Sequence, residues 1–355
     1  MRVQPSLLLS SLCLLFSQEI YAADAVWQRL NSRVSAELRG LSVVSSSVAW
    51  ASGAQGTVLR TTDGEHWEKI AVPGAEKLDF RAIKAFSDQI AWIMSAGPGD
   101  SSRIFLTRDG GQHWEQRFVN PDPKGFWNAI TVTTDGRLTV FGDPDSNGLQ
   151  FWQTNAQGQN LQRLPVSDAL RPLENEGAFA ASGTCLFQLN PQHLWVVTGG
   201  AVRARIARST DGGQRWEMHD LPLAAGAASR GAFSVSFRDP LHGVVAGGDY
   251  KEIHYDSANL ALTSDGGKNW QSIRALPAGF LSVVTHIPGT RQTVVAGGLT
   301  GSGVSRDGGL HWKQLDTTPV NTIAFADAQH GWAIGPKGLL LRYQGPALDA
   351  QSDNK

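Results

Sequence analysis

An eight-residue motif recurs along the chain and constrains its fold more than any other feature. Four copies read Ser/Thr-x-Asp-Gly-Gly-x-x-Trp and begin at Thr107, Ser209, Thr263 and Ser305. A fifth copy, Thr61 to Trp67, lacks one residue, and a sixth, Thr154 to Leu161, has lost both the Asp and the Trp. An Asp carboxylate accepts hydrogen bonds from backbone N–H groups just downstream, and glycine tolerates a positive φ. Each copy therefore predicts a tight turn between two antiparallel strands.

The spacing of these turns predicts a closed ring of blades. The third motif positions lie 46, 47, 55, 54 and 42 residues apart, at Asp63, Asp109, Ala156, Asp211, Asp265 and Asp307. Repeats of this length, with four short strands in each, are typical of β-propellers. Residues 320–343 supply three further strands, and Val26 to Leu30 supplies the fourth, which closes the ring. The predicted fold is all-β: a seven-bladed β-propeller with four-stranded antiparallel blades.

Most of the aromatic and turn residues are expected to be structural. We assign a scaffold role to the motif residues Asp63, Trp67, Asp109, Trp114, Asp211, Trp216, Asp265, Trp270, Asp307 and Trp312. Four more tryptophans, in the second strands of their blades, are expected to be core wedges because indoles dominate core packing: Trp50, Trp92, Trp195 and Trp332.

The two ends of the chain differ in composition from the repeats. Residues 1–22 have the pattern of a signal peptide, with Arg2, the apolar run Leu7 to Phe16 and the small residue Ala22. The apolar run is too short to span a bilayer. Residues 25–345 are predicted to form the propeller, and residues 346–355 a flexible tail. We expect a periplasmic protein, with secretion as the second choice.

Charge and cysteine content exclude several function classes. The net charge is −1 and no run of like charges occurs. The sequence therefore shows no basic patch of the kind that binds nucleic acid or an anionic membrane. Without the leader, Cys185 is the only cysteine, so no intramolecular disulfide is available, and a small buried thiol is the expected state. Neither a glycine-rich dinucleotide loop nor a Cys-x-x-Cys-His motif occurs. No cofactor is predicted.

One loop has a weak resemblance to a calcium site. Asp143, Asp145 and Asn147 stand at positions 1, 3 and 5 of a segment with glycine at position 6. The twelfth position is Thr154, where an EF-hand has a bidentate Glu, so an EF-hand is excluded. A polar turn is the preferred interpretation, and no other metal site is predicted.

The candidate site lies on the face opposite the motif turns, where the longest loops gather. The predicted innermost strands place Arg39, Arg81 and Asn128 at equivalent positions in three successive blades. Neighbouring candidates for ligand or partner binding are Trp127, Asp143, Glu176, Asp249 and Tyr250. Two interpretations stay open: these residues line a pocket for a small anion or an acidic peptide, or the arginines pair with carboxylates such as Asp79 to hold the ring together.

The motif resembles the Asp-box, or BNR repeat, of sialidases, sortilin-type receptors and xyloglucanases. Together with Ala324 to Trp332 and Ser236 to Gly243, it more specifically resembles the photosystem II stability/assembly factor-like propellers. That resemblance covers Trp27 to Tyr343 and implies an exported, non-catalytic propeller that binds a periplasmic or membrane-associated protein. Bacterial members are often described as oxidoreductases, and no motif of this chain supports that activity. The alternative is a sialidase-like or redox enzyme using the same face. We expect a monomer.

Overall fold

The computed structural model describes residues 26–165 and 168–349, and nearly all of its regular structure is β-strand. The strands form seven sheets, each with four antiparallel strands in sequential order, except that the first strand of the chain joins the last sheet. The seven-bladed propeller is therefore confirmed. Among these residues no helix is both long and apolar enough to cross a membrane. The signal peptide predicted at residues 1–22 lies outside the described residues.

The strands are numbered along the chain, and the blades by their order after β1 (Trp27–Arg29). Blade 1 contains β2 to β5, at Leu38–Val43, Ala49–Gly53, Thr57–Thr61 and Glu68–Ile70. Blade 2 contains β6 to β9, at Phe80–Ala85, Ala91–Ser95, Arg103–Thr107 and Glu115–Val119. Blade 3 contains β10 to β13, at Trp127–Val132, Leu138–Asp145, Gly148–Gln153 and Gln162–Arg163.

The second half of the ring follows the same plan. Blade 4 contains β14 to β17, at Leu186–Gln188, Leu194–Thr198, Ala204–Ser209 and Glu217–Leu221. Blade 5 contains β18 to β21, at Arg230–Phe237, Gly243–Asp249, Leu260–Thr263 and Gln271–Ile273. Blade 6 contains β22 to β25, at Val283–His286, Val294–Gly298, Gly301–Ser305 and Lys313–Asp316. Blade 7 contains β26 to β28, at Thr322–Phe325, Gly331–Ile334 and Leu340–Tyr343, and is completed by β1. Short 3₁₀ turns lie at Gly99–Ser101, Asp168–Leu170 and Pro336–Gly338.

Ring closure depends on β1. This strand pairs with β28, Trp27 opposite Tyr343, and so covers the edge that β28 would otherwise expose. The Trp27 indole packs against Phe325 and Tyr343, with ring centroids 6.0 and 5.4 Å away, and its Nε1 donates to Ser302 Oγ of blade 6. The two ends of the chain are thus held together by strand pairing and by aromatic packing.

Each motif turn closes the hairpin between the third and fourth strands of a blade. In blade 2, Asp109 Oδ1 accepts the His113 N–H at 2.9 Å, while Thr107 Oγ1 donates to Asp109 and accepts the Gly111 N–H. Gly110 and Gly111 have φ values of 73° and 87°, a region that favours glycine. The same bonds recur in the other full copies, as expected for a turn that folds from its own residues.

The decayed copy in blade 3 keeps the turn with a different residue. The Oδ1 atom of Asn155 accepts the N–H groups of Gln157 and Gln159, the role that Asp plays elsewhere. The spacing of the repeat aligns Ala156 with the aspartates, one residue away from the side chain that makes the turn. An amide oxygen one position earlier substitutes for the carboxylate, which explains how the turn survives without Asp.

These turns predict a loss of stability in acid. The pKa of Asp109 is lowered to about 2, mainly by the His113 N–H, and that of Asp211 to about 2, where bonds from Arg215 outweigh burial. A carboxyl with a depressed folded pKa stabilises the protein above its unfolded pKa of about 4. We expect the melting temperature to hold down to about pH 4 and to fall towards pH 2.

The control for this titration is Asp109→Asn, since Asn155 already makes such a turn in this chain. The variant should fold, and its melting temperature should fall less between pH 4 and pH 2 than that of the unmodified chain. A melting temperature that stays flat across this range in the unmodified chain would contradict the role given to these carboxylates.

Tryptophans from second strands fill the gaps between neighbouring blades. All four predicted wedges, Trp50, Trp92, Trp195 and Trp332, are buried. Three of them also donate to backbone carbonyls of the next blade: Trp50 to Ser87, Trp195 to Gly266 and Trp332 to Gly64. Burial of the ring and a satisfied indole N–H together explain why Trp suits these positions.

Part of the expected C-terminal tail is packed against the ring. Leu348 is fully buried, and its N–H donates to the Ala328 carbonyl. Arg306 Nε donates to the Leu348 carbonyl, and the Tyr343 hydroxyl donates to Pro346. Residues 346–349 are therefore held between blades 6 and 7, and residues 350–355 lie outside the described part of the chain.

Candidate functional site

Backbone bulges in the innermost strands direct three polar side chains toward the centre of the ring. The pairing register shifts between Leu38 and Gly40, between Phe80 and Ala82, and between Trp127 and Ala129. The extra residues at these shifts are Arg39, Arg81 and Asn128. Blade 5 has the same irregularity, with Phe233 as the extra residue. A bulge re-aims the side chain of its extra residue, so four blades present such a side chain at one end of the ring.

These four residues line a cavity of about 460 Å³, called here the mouth cavity. Its other lining residues include Glu37, Phe126, Asp143, Phe179, Tyr250, Phe280, Ser282 and Asn321. Because they come from most of the blades, the cavity lies over the centre of the ring. It opens on the face that carries the loops between second and third strands, opposite the motif turns.

The segment 178–184, which links blades 3 and 4, forms the floor of the mouth cavity. Its carbonyls at Ala180 and Ala181 accept hydrogen bonds from Arg81 and Arg39 of blades 2 and 1. Ser182 Oγ donates to the Ser282 carbonyl, which lies at the start of blade 6. The segment therefore crosses the channel. The sequence pattern predicts an innermost strand at Ser182 to Cys185, but β14 begins only at Leu186, because Ser182 and Thr184 bond to blades 6 and 5 instead.

Five of the eight proposed site residues line the mouth cavity: Arg39, Arg81, Asn128, Asp143 and Tyr250. The other three lie elsewhere. Trp127 is fully buried in the apolar core between blades 2 and 3. The bulge directs Asn128 into the channel and therefore directs Trp127 away from it. Glu176 is buried and bonded to Arg205, and Asp249 is bonded to Arg230 and to the N–H of Lys251. These two carboxylates hold loops in place.

The two arginines of the mouth cavity lie close enough to repel each other. The pKa of Arg39 is lowered by burial and next by the charge of Arg81. Arg81 Nε donates to Asp79 at 2.7 Å, while Glu37 is 3.6 Å from Arg39. The Arg39 and Arg81 side chains remain 25% and 30% exposed. The carboxylates expected under the structural interpretation are thus present, yet both guanidinium groups still face the cavity.

A buried polar pair lies beside the arginines. Asn128 Nδ2 donates to Asp143 Oδ1 at 2.9 Å, and the Ala178 N–H donates to the same oxygen at 3.0 Å. Burial raises the pKa of Asp143. Asn128 Oδ1 has no partner among the described residues. This pair anchors the segment 178–184 and leaves the Asn128 Oδ1 acceptor without a donor.

The opposite wall of the mouth cavity is aromatic. Phe179 stacks on Phe233 with centroids 3.9 Å apart, and Tyr250 and Phe280 contact Phe233 edge-on. Tyr250 is 42% exposed. Only Tyr250 of this group could be predicted from the sequence, because the phenylalanines lie in ordinary apolar strand and loop positions. These rings converge because the segment 178–184 crosses the channel and places Phe179 at the centre of the ring.

The weak calcium candidate and the lone thiol have other roles in the structure. Arg163 donates to both oxygens of Asp145, at 2.7 and 2.9 Å, and the Asn147 N–H also bonds there. Among residues 26–165 and 168–349, no group of three His, Cys, Asp or Glu side chains could hold a metal ion.

Cys185 is fully buried, and burial raises its pKa to about 12, so the thiol stays protonated at neutral pH.

Comparison with known proteins places this chain beside assembly factors. It is 25% identical over 313 residues to photosystem II stability/assembly factor HCF136 of Arabidopsis thaliana, covering 82% of this chain and 72% of that protein. It is 27% identical over 279 residues to photosystem II assembly lipoprotein Ycf48 of Nostoc sp., covering 77% of this chain and 60% of that protein. No protein-family model matches the chain.

A solved structure of YCF48 bound to D1 peptide has the same fold. It superposes with a TM-score of 0.65 at 23% identity, covering 90% of this chain and 97% of the other. The chain is thus a propeller similar to the photosystem II assembly factors, as its sequence predicted.

Proposed function

We propose that this assembly factor-like propeller binds a segment of a protein partner in the mouth cavity. The observation that carries the proposal is the pair of guanidinium groups, Arg39 and Arg81, presented by equivalent bulges beside an aromatic wall. Two close cations in a partly buried cavity favour an anionic group, and guanidinium binds carboxylates in a bidentate manner. The aromatic wall suits an apolar side chain next to that anion.

The preferred occupant is therefore a peptide segment with an acidic residue beside an aromatic or aliphatic one. Relatives support a binding role, since YCF48 has been solved bound to D1 peptide. We propose binding without catalysis, by a monomer, in the periplasm, with a periplasmic or membrane-associated protein as partner. The volume of about 460 Å³ holds a few side chains and not a folded domain, so the rim must supply the rest of the interface.

Selection from a random-peptide library tests this specificity even though the partner is unidentified. Peptides enriched on the purified chain should carry Asp or Glu next to an aromatic or aliphatic residue. The same selection on Arg39→Ala/Arg81→Ala should not enrich them. Enrichment of basic or purely polar peptides, or equal enrichment on the variant, would overturn the proposal.

A further inference from the structure

A second cavity lies on the other face of the ring, between blades 5 and 6. Its volume is about 530 Å³, and we call it the seam cavity. It is lined by Arg238, Val244, Leu262, Trp270, His286, Asp307 and Gly308. The motif turn of blade 6 forms one side, although the sequence predicts only a scaffold role for such turns.

The seam cavity exists because blade 5 lacks side chains that other blades have. In blades 1, 4 and 7, a Trp of the second strand stands opposite an Arg of the third: Trp50 opposite Arg60, Trp195 opposite Arg208, and Trp332 opposite Arg342. The equivalent pair in blade 5 is Val244 opposite Leu262. Both are much smaller than an indole and a guanidinium, and neither carries a donor.

The missing donors leave one turn carbonyl without a partner. At the fourth motif position, Gly266 accepts from Trp195 and Arg208, Gly64 from Trp332, Gly110 from Arg60 and Gly212 from Gln153. The corresponding carbonyl of Gly308 accepts no side-chain hydrogen bond from the described residues. The same position is thus satisfied by a neighbouring blade in four turns and left open in the fifth.

Blade 6 also has an aliphatic pair, Val295 opposite Val304, but there the chain fills the gap itself. Leu348 packs in the same apolar cluster as these two valines. The seam between blades 5 and 6 receives no such segment from the part of the chain that the structure describes.

The walls of the seam cavity favour a neutral donor. Its floor is apolar, since Leu262 and Val244 lie under Gly309. Burial and then the charge of Arg238 lower the pKa of His286 to about 4, so its ring is uncharged at pH 7. Arg238 lies near Gly308, and its charge is paired with Asp239. The carboxylates of Asp265 and Asp307, which also line the cavity, accept hydrogen bonds within their own turns. An indole fits these conditions, because it is apolar and its N–H is a donor only.

One exposed leucine lines the cavity, and a second is adjacent in sequence to a lining residue. Leu310, on the motif turn of blade 6, is 52% exposed, and Leu241, next to His242 of the wall, is 53% exposed. Leu310 therefore offers apolar surface that a partner could bury beside the cavity. Elsewhere in the molecule the same slot holds an indole from the neighbouring blade. We propose that the seam cavity receives a tryptophan side chain of a protein partner, its N–H donating to the Gly308 carbonyl.

This site is on the face opposite the mouth cavity and does not depend on the function proposed for that cavity. The probe is N-acetyl-tryptophanamide, observed by saturation-transfer NMR, with N-acetyl-leucinamide and N-acetyl-argininamide as controls. We expect the indole to bind with roughly millimolar Kd, about the strength one side chain provides, and more strongly than either control. Absence of an indole signal, or preference for the arginine derivative, would overturn the proposal.

A substitution that fills the seam cavity with a side chain of this protein provides the control variant for indole binding. Val244→Trp restores the side chain found in blades 1, 4 and 7, so it should abolish indole binding and raise the melting temperature. Val295→Trp, where Leu348 already fills the slot, should lower the melting temperature by overpacking. Should Val244→Trp fail to fold, Leu262→Trp makes the same test, since blade 3 has Trp152 at that position. Indole binding that persists in the filled variant contradicts the proposal.

Discussion

Replacing Trp27 by alanine is expected to lower the free energy of unfolding by about 3–5 kcal/mol, the usual loss for a buried Trp. The indole is packed against Phe325 and Tyr343 and donates to Ser302, so its loss leaves a void at the closure of the ring. The effect should be large because β1 is short, with three residues in register with β28, so the Trp27 side chain provides much of its packing. Chemical denaturation monitored by circular dichroism measures it.

The matched control for Trp27→Ala is Arg29→Ala on the same strand. Arg29 is exposed and pairs with Leu341 through its backbone, which alanine preserves. Its substitution should change the free energy of unfolding by less than about 0.5 kcal/mol. A loss for Trp27→Ala as small as that expected for Arg29→Ala would show that β1 contributes only its backbone pairing, against the closure described here.

Arg39→Ala/Arg81→Ala is expected to weaken binding of a library-selected acidic peptide by at least about 100-fold. A hydrogen bond to a charged group contributes about 1.5–3 kcal/mol, which is roughly 10- to 100-fold in Kd for each arginine. The melting temperature should fall by no more than about 4 °C, because a partly exposed ion pair contributes about 0–1 kcal/mol. Titration calorimetry and thermal melting measure the two effects.

The control for the loss of two positive charges is Arg203→Ala/Arg274→Ala. These arginines are 56% and 68% exposed and pair with Asp220 and Asp256 away from the mouth cavity. This variant should keep the affinity of the unmodified chain. If Arg39→Ala/Arg81→Ala instead lost most of its thermal stability, the arginines would serve mainly to hold the ring, the alternative that the sequence leaves open.

The turns and the blade count could be predicted from sequence because their causes are local. A carboxylate, a hydroxyl and two glycines within five residues determine each of the four full-length turns, as Thr107 to Gly111 shows. Regular spacing of the turns then determines the number of sheets. Even the decayed copy keeps its turn, through Asn155, although the spacing aligns that copy one residue too late.

The candidate site could be predicted only in part, because its geometry depends on distant contacts. The equivalent positions of Arg39, Arg81 and Asn128 are readable from the repeat. No local pattern reveals that residues 178–184 cross the channel and bring Phe179 onto Phe233. For the same reason the sequence places Glu176 in the site, since nothing in its neighbourhood indicates the pairing with Arg205, 29 residues later.

The position of a bound partner can be read directly by photo-crosslinking from single sites. A photoreactive amino acid at Tyr250, on the rim of the mouth cavity, is compared with one at His66, whose side chain is 85% exposed on the motif-turn face. With the selected acidic peptide, binding in the mouth cavity predicts a crosslinked product at Tyr250 and none at His66. A product at His66, with none at Tyr250, would contradict it.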